Sequence, residues 1–152
     1  MYIEPNMVIR TAIVVMSDRA HAGVYEDKSS PALAELLQEM DVPMTFEIAR
    51  QVVVPDEPDV IEEQLRLCCD DQKLDMVITS GGTGFGPRDF TPEVVKRVLD
   101  REAPGVAQAL LTEGLKHTPL AVLSRPVAGV RKSTFIVTFP GSVKAIKENL
   151  AA

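Results

Sequence analysis

Short apolar runs rich in β-branched residues alternate along this chain with segments of helical spacing. The apolar runs cover residues 9–16, 46–54, 75–79 and 134–139. Runs of this kind, which lack a polar face, are typical of strands buried on both sides of a parallel sheet. Parallel strands need crossover connections, and these cover both faces of the sheet when the winding reverses. The pattern therefore predicts an α/β fold with a mostly parallel sheet.

Helix-start signals follow most of the predicted strands. Helices are predicted to begin near residues 29–31, 55–58, 91–93, 106 and 142. Proline stands in the first turn of the first three, where its missing N–H group costs nothing. The third helix is expected to extend to about Arg101 and the last one, capped by Ser142, to Ala152. Residues 120–123 are compatible with a short strand.

Composition predicts a single domain that spans residues 1–152. Hydrophobic residues make up 45% of the chain and charged residues 25%, which excludes a disordered chain or a disulfide scaffold. The net charge of −6 argues against nonspecific binding to nucleic acid or to an anionic membrane surface. No apolar run approaches the roughly 20 residues of a membrane span. Because residues 1–5 also lack the basic and apolar regions of a signal peptide, we expect a cytoplasmic protein.

The cysteines and histidines disfavour several kinds of site. Cys68 and Cys69 are adjacent in a helical pattern, where neighbouring thiols are hard to bridge. We interpret them as small buried thiols in a reducing compartment. His21 and His117 are the only histidines. So few nitrogen and sulfur ligands do not favour a zinc site, and no signature supports a Ser-His-Asp triad.

The carboxyl ends of parallel strands lie along one edge of a sheet. Ligands bind at this edge, at the point where the winding changes direction. The segments that follow the four predicted strands are residues 17–19, 55–57, 80–89 and 140–142. We therefore expect these four segments to form one site.

The segment after the third strand carries Gly81, Gly82, Gly84 and Gly86. Glycine allows positive φ angles and a close approach of the backbone to a ligand, and a row of exposed N–H groups can bind an anion. Arg88 adds a fixed charge suited to phosphate. The spacing matches neither the Walker loop nor the dinucleotide-binding pattern. A flexible turn is the alternative, but so many glycines between a buried strand and a helix favour a functional loop.

Asp56 and Asp89 are the two carboxylates that we expect at this edge. Asp56 is also placed to cap the following helix, which is worth about 1 kcal/mol, and its position alone favours that role. Thr91 is the better cap for the next helix, which leaves Asp89 without an evident structural role. Two carboxylates beside a phosphate-binding loop suit a Mg²⁺ ion that bridges phosphate oxygens. Such an ion would also balance the charge of an acidic protein that binds anions.

Several other polar residues have two interpretations each. Ser17 and Asp18 follow the first strand, where they either contact the ligand or cap a turn. Arg125 either binds phosphate or is a solvated surface charge. Arg131 and Lys132 are placed in a turn, where we favour solvated charges.

Seven short motifs occur along the chain in order. They are Ser17-Asp18-Arg19 with Gly23 and Asp27, Pro55-Asp56-Glu57, Thr79-Ser80-Gly81-Gly82-Thr83-Gly84, Pro87-Arg88-Asp89-x-Thr91-Pro92, Arg101-Glu102-x-Pro104-Gly105, Leu123-Ser124-Arg125 and Pro140-Gly141. Each motif alone is of modest specificity, but the ordered set is highly specific and covers nearly the whole chain. Together the motifs resemble the molybdopterin adenylyltransferase family of molybdenum cofactor biosynthesis.

The resemblance implies a three-layer α/β domain, like other molybdopterin-binding domains, that assembles as a homotrimer. It also implies a reaction in which the terminal phosphate of molybdopterin attacks the α-phosphorus of MgATP. Adenylylated molybdopterin forms and pyrophosphate leaves. A molybdate-insertion protein is implied as the partner that receives the product, whereas no nucleic acid or membrane is expected as a partner.

By the same resemblance, Asp56 and Asp89 match functional acidic positions and are expected to act in catalysis and to bind Mg²⁺. Contacts with ATP or molybdopterin are expected from Ser17, Asp18, Gly81, Gly82, Thr83, Gly84, Arg88, Ser124, Arg125, Pro140 and Gly141. No histidine base is needed, because the attacking phosphate is already ionised. A rigid backbone loop, a metal ion and fixed cations suffice for this type of transfer.

The chain departs from the family pattern at three places. Many members carry Asn at the position of Thr138, and many carry Ser-Gly after Asp27, where this chain has Lys28-Ser29-Ser30. Members also usually continue beyond Ala152 through a further helix, which bears on trimer packing. Two other functions compete with the transferase: a noncatalytic molybdopterin-binding or scaffold member of the same fold, and a nucleotide-phosphate hydrolase.

Overall fold

The computed structural model describes Glu4 and residues 6–152 and contains a six-stranded sheet. The strands are β1 (Met7–Met16), β2 (Met44–Val54), β3 (Met76–Ser80), β4 (Arg101–Glu102), β5 (Ala128–Arg131) and β6 (Thr134–Phe139). The helices are α1 (Asp18–His21), α2 (Ser29–Glu39), α3 (Pro58–Arg66), α4 (Thr91–Val98), α5 (Pro104–His117) and α6 (Val143–Asn149). Residues 1–3 and 5, on which the expectation about a signal peptide partly rests, lie outside the described residues. In the described part of the chain, every helix is too short or too polar to cross a membrane.

The sheet has the strand order β2-β1-β3-β6-β5-β4. The first four of these strands are parallel, and β5 and β4 continue the sheet in antiparallel pairing. In the register, Met16 lies opposite Val54, while Ser80 lies opposite both Val15 and Phe139. The carboxyl ends of all four parallel strands therefore meet at one edge. The winding reverses between β1 and β3, as expected for an α/β sheet with a ligand site.

Helices cover both faces of the sheet. On one face, α3 and α4 bury the apolar residues Ile61, Leu65, Val94, Val95 and Val98. On the other face, α2, α5 and α6 bury the apolar residues Leu33, Leu37, Leu110 and Ile146. The expected three-layer α/β fold is thus confirmed. The two cysteines are free and buried as expected, in a π-helical turn (Leu67–Asp71) that follows α3.

Two predictions about the last third of the chain are wrong, and two strands in this part of the sheet were missed. Residues 120–123 are not a strand, because Pro119 starts a 3₁₀ turn (Pro119–Leu123) whose Leu120 N–H group is capped by the Thr118 hydroxyl. The short strands β4 and β5 were not predicted, since they are antiparallel strands of two and four residues without a long apolar run. The final helix ends at Asn149 rather than at Ala152.

Arg131 is also not the solvated charge that its predicted turn suggests. It ends β5, donates from Nη1 to the carbonyl of Val98 and forms a two-point ion pair with Asp70, at 2.6 and 3.0 Å. Lys132 does lie in the turn between β5 and β6, but its ammonium group is 3.0 Å from the same carboxylate. These bonds connect the antiparallel part of the sheet to the turn after α3.

Candidate functional site

An open cavity of about 580 Å³ lies at the edge where the parallel strands end. It is lined by Val15, Met16, Ser17, Asp18, Arg19, Tyr25, Ser29, Asp56, Ser80, Gly81, Gly82, Asp89, Gly141 and Ser142. The lining comes from the ends of β1 and β3, from the segments that follow β1, β2, β3 and β6, and from the first residue of α2. The four segments singled out in the sequence therefore meet at one cavity.

Asp18 and Asp56 hold the ends of β1 and β2 together. The backbone N–H of Asp18 donates to Oδ2 of Asp56 at 2.9 Å, and the N–H of Asp56 donates to Oδ1 of Asp18 at 3.0 Å. The capping role favoured for Asp56 is wrong, because Glu57 is the N-cap residue of α3 and makes no side-chain capping bond. Pro58 supplies no N–H group in the first turn, and the Asp56 carboxylate instead accepts from the neighbouring strand end.

Arg88 forms a two-point ion pair with Asp18. Its Nε lies 2.5 Å from Oδ2, and its Nη2 lies 3.0 Å from Oδ1. These bonds hold the pKa of the Asp18 carboxyl below its ordinary value. The Nη2 atom also lies 3.9 Å from Oε1 of Glu57. The fixed charge expected to meet phosphate is therefore paired with a carboxylate of the cavity.

Burial raises the pKa of the Asp56 carboxyl, and the nearby charges of Asp18 and Asp89 raise it further. The hydrogen bond from the Asp18 N–H group acts in the opposite direction. The Asp18, Asp56 and Asp89 carboxylates thus line one cavity, where the other two charges disfavour ionisation of Asp56. A cation bound among them would relieve this repulsion.

Gly81 and Gly82 have a backbone that only glycine adopts easily. Their φ angles are +99° and +66°. A Cβ atom on Gly81 would lie 2.3 Å from the carbonyl oxygen of Met16, and one on Gly82 would lie 2.3 Å from Oγ1 of Thr91. The Gly81 N–H donates to the carbonyl of Phe139 at 3.1 Å, while the Gly82 N–H has no acceptor among the described residues. These constraints on the backbone favour a defined loop over a flexible turn, and the Gly82 N–H is left as a donor beside the cavity.

Thr91 does not cap α4. It is the first helical residue, and its hydroxyl donates to the carbonyl of Gly81 at 2.9 Å, while its N–H donates to the carbonyl of Gly82 at 3.1 Å. Asp89 in turn has a structural role that the sequence did not reveal, since its Oδ2 accepts from the N–H of Gly86 at 2.8 Å. That bond folds the loop back on itself and keeps the carboxylate at the cavity.

Ser124 and Arg125 contact the loop of residues 80–89 (the glycine loop) through Thr83, Gly84 and Asp89. Oγ of Ser124 lies 3.3 Å from Oγ1 of Thr83, and the N–H of Arg125 donates to the carbonyl of Thr83 at 3.0 Å. The Arg125 guanidinium donates to the carbonyls of Gly84 and Asp89. Both interpretations of Arg125, a phosphate ligand and a solvated charge, leave out these loop contacts.

The segment after β6 closes the cavity next to α2. The hydroxyl of Ser80 donates to the carbonyl of Pro140 at 3.0 Å, and that of Ser29 donates to the carbonyl of Gly141 at 3.1 Å. Thr138, where many family members carry Asn, is buried away from the cavity, and its Oγ1 accepts from the N–H of Val127 at 2.8 Å. Its role in this chain is to join β6 to the segment before β5.

The structure brings together about half of the residues expected to contact substrate. The cavity is lined by the expected residues Ser17, Asp18, Asp56, Gly81, Gly82, Asp89 and Gly141. The others lie behind or beside this surface: Thr83, Gly84, Arg88, Ser124, Arg125 and Pro140. Ser29 and Ser80 line the cavity but were not among the expected contact residues, although their places at a helix start and at a strand end were a usable signal.

The donor set suits Mg²⁺ that arrives with phosphate. Among the described residues, no group of three or more His, Cys, Asp or Glu side chains forms a metal cage. Mg²⁺ usually takes one or two protein carboxylates and fills its other positions with waters and substrate phosphates. Oδ1 of Asp56 lies 3.4 Å from the place that a Cβ atom of Gly82 would fill. Asp56 and Asp89 therefore fit as a two-carboxylate site beside a space that only glycine leaves open.

Comparison with known sequences finds a matching family and relatives that are similar along most of the chain. Residues 12–152 match the family described as "Probable molybdopterin binding domain". The chain is 41% identical over 145 residues to a protein named molybdopterin adenylyltransferase from Helicobacter pylori, covering 95% of this chain and 81% of that one. It is likewise 41% identical over 142 residues to the molybdopterin adenylyltransferase of Escherichia coli, covering 93% of this chain and 72% of the relative.

Solved structures agree with these sequence relatives. The crystal structure of the molybdopterin biosynthesis enzyme MoaB from Thermus thermophilus superposes with a TM-score of 0.85 at 44% identity, covering 93% of this chain and 87% of that one. The shared fold, the extent of the sequence match and the position of the cavity all lead to the same assignment. The chain belongs to the molybdopterin-binding domain family of molybdenum cofactor biosynthesis.

Proposed function

We propose that this chain is a molybdopterin adenylyltransferase, which transfers AMP from ATP to the terminal phosphate of molybdopterin. The observation that carries the proposal is the cavity at the strand ends, where Asp56 and Asp89 face the backbone of Gly81 and Gly82. Relatives of about 40% identity carry the same activity in their names. A buried backbone loop beside two carboxylates suits phosphate chemistry assisted by a cation.

The reaction requires little covalent chemistry from the protein. An oxygen of the molybdopterin phosphate forms a bond to the α-phosphorus of ATP, the bond from that phosphorus to the bridging oxygen breaks, and pyrophosphate leaves with the electron pair. The attacking oxygen is already ionised, so no side chain has to remove a proton. The residues of the cavity act by alignment and by neutralising charge.

Each part of the cavity has a distinct role in this proposal. The N–H of Gly82 is available to a phosphate oxygen. Ser17 and Ser29 line the same cavity, where the Ser17 hydroxyl accepts from the Ala20 N–H and the Ser29 hydroxyl donates to the Gly141 carbonyl. Asp56 and Asp89 would hold Mg²⁺, which when bound supplies positive charge to the phosphates and orients them. The Asp18–Arg88 ion pair holds the segment after β1 and the segment after β3 together.

The direct test is the release of pyrophosphate from purified protein incubated with MgATP and molybdopterin. We expect release that requires all three components and that stops when EDTA removes Mg²⁺. The product is expected to be adenylylated molybdopterin, identified by mass. Absence of release above a control without protein would contradict the proposal.

Two measurements separate the competing functions. A nucleotide-phosphate hydrolase would release phosphate or pyrophosphate without molybdopterin, whereas the transferase would not. A noncatalytic scaffold would bind molybdopterin tightly with no turnover of ATP. The transferase and the scaffold would use the same cavity, so equilibrium binding of molybdopterin should be measured together with turnover of ATP.

We further propose that the chain works as a homotrimer in the cytoplasm and passes its product to a molybdate-insertion protein. Exposed apolar side chains of the 3₁₀ turn support association, since Leu120 is 69% exposed and Val122 59% exposed. Light scattering on the purified protein is expected to give the mass of three chains. The mass of a single chain would contradict the trimer without affecting the transferase assignment.

A further inference from the structure

The Arg125 side chain joins the two ends of the loop that carries Asp89. Its Nε and Nη2 atoms donate to the carbonyl of Gly84 at 3.0 and 2.7 Å, and Nη2 also donates to the carbonyl of Asp89 at 2.9 Å. One guanidinium group thereby closes the segment from residue 84 to residue 89. Lysine has no planar fork of donors and cannot reproduce this bridge with one ammonium group.

The Arg125 guanidinium also makes an ion pair and packs against an aromatic ring. Nη1 pairs with the carboxylate of Glu93 on α4, and the ring of Phe85 lies 4.9 Å from the guanidinium carbon. The side chain is 26% exposed. With most of its N–H groups directed at protein acceptors, Arg125 has little capacity left to bind a substrate phosphate.

The position of Asp89 depends on the loop being tightly closed. Its Oδ2 accepts from the N–H of Gly86, and a Cβ atom on either Gly84 or Gly86 would lie within 2.9 Å of that oxygen. Two sets of hydrogen bonds therefore close the loop, one made inside it by the Asp89 carboxylate and one made across its ends by Arg125. Loss of the bonds from Arg125 would let the Asp89 carboxylate move away from the cavity.

We propose that Arg125 is a positioning residue, which sets the place of the Asp89 carboxylate in the cavity and does not itself contact substrate. The inference rests on the proposed transferase function and adds to it a residue that acts through another. It predicts that the benefit of Arg125 disappears once Asp89 can no longer act.

The test is a double-mutant cycle with Arg125→Met, Asp89→Asn and the double variant, measured as pyrophosphate release. Arg125→Met is expected to lower kcat about 10- to 100-fold, as a misplacement of the order of 1 Å does, with the KM for ATP changed less than about threefold. The double variant is expected to be no slower than Asp89→Asn alone. Arg125→Lys keeps the charge but not the fork of donors, so it is expected to lower kcat less than Arg125→Met does. It replaces Arg125→Met in the cycle if that variant does not fold.

Arg131→Met is the matched control for lost stability. Arg131 also bonds a carbonyl and a carboxylate, but it lies on β5 away from the cavity. We expect this variant to lower the melting temperature without lowering kcat. An equal loss of kcat in Arg131→Met, or effects of Arg125→Met and Asp89→Asn that multiply, would overturn the proposal, and so would a rise in KM that accounts for the whole loss.

A readout without turnover separates this inference from the transferase assignment. The Gly86 amide is protected by the Asp89 carboxylate, so its hydrogen exchange reports whether the loop is closed. Arg125→Met is expected to speed exchange at Gly86 about tenfold, with no change in Arg131→Met. Unchanged exchange in Arg125→Met would overturn the positioning role even if the wild-type enzyme is active, and faster exchange would support it even if no pyrophosphate is released.

Discussion

At Gly81 a side chain would meet the backbone of the neighbouring strand. The φ angle of +99° is unfavourable for any other residue, and the new Cβ would lie 2.3 Å from the Met16 carbonyl oxygen. Gly81→Ala is therefore expected to lower the free energy of unfolding by about 3 kcal/mol. Urea denaturation of both proteins would measure the difference.

Gly105 provides the control for that substitution. It lies in the first turn of α5 without a positive φ angle, and a Cβ there would have no neighbour within 4 Å. Gly105→Ala is expected to be neutral or stabilising by up to about 1 kcal/mol. Similar destabilisation at both positions would contradict the special role of the backbone at Gly81.

Asp89 is expected to matter far more for turnover than for stability. Its carboxylate makes one hydrogen bond within an exposed loop, and asparagine can still accept from the Gly86 N–H group. Asp89→Asn should change the free energy of unfolding by less than about 1 kcal/mol, while turnover falls by about 100-fold or more because a charge in the cavity is lost. Steady-state kinetics beside thermal unfolding would test this, and wild-type turnover would remove Asp89 from the proposed site.

At the scale of the elements, Thr138 and Thr79 are opposite each other on β6 and β3 but differ in their hydrogen bonds. The Thr138 hydroxyl accepts from the Val127 N–H group, whereas Thr79 Oγ1 is buried without a partner among the described residues. Thr138→Val should cost about 1–3 kcal/mol by leaving a buried N–H group unpaired, and Thr79→Val should be neutral or stabilising. Equal effects in chemical denaturation would show that the bond is unimportant.

The parallel strands and their helices were predictable because apolar runs and proline-marked helix starts are local signals. The antiparallel strands were not, since Ala128–Arg131 is short and its pairing with β6 depends on a turn at Lys132, whose φ is +52°. The rule that parallel strands end at one edge of the sheet predicted which segments meet there. It did not predict which hydrogen-bond partner each side chain takes. Asp56 illustrates this, because its choice of the Asp18 N–H group over a capping role depends on the register of β1 and β2.

At the scale of the whole molecule, the bonds of Asp70 connect one helical layer to the far strands of the sheet. Its hydrogen bonds with Arg131 and then with Lys132 lower the pKa of the carboxyl from 3.8 to about 2. A pKa that is lower in the folded state stabilises the fold above the unfolded value, and the effect is lost as the pH falls towards the folded value. Asp70→Asn should therefore be less stable than wild type at pH 7, with the difference shrinking between about pH 4 and pH 2. Thermal unfolding across this range would test the prediction, and a constant difference would contradict it.

The last strand of the chain, β6, lies in the interior of the sheet between β3 and β5. Synthesis proceeds from the amino end, so β1 to β3 can pair early, but the cavity remains incomplete until β6 inserts and brings Gly141 beside Gly81. Recognition of the ligand therefore begins only when the fold is finished. A bound substrate would in turn stabilise the whole fold against unfolding and proteolysis, because the cavity is lined by the segments that follow β1, β2, β3 and β6.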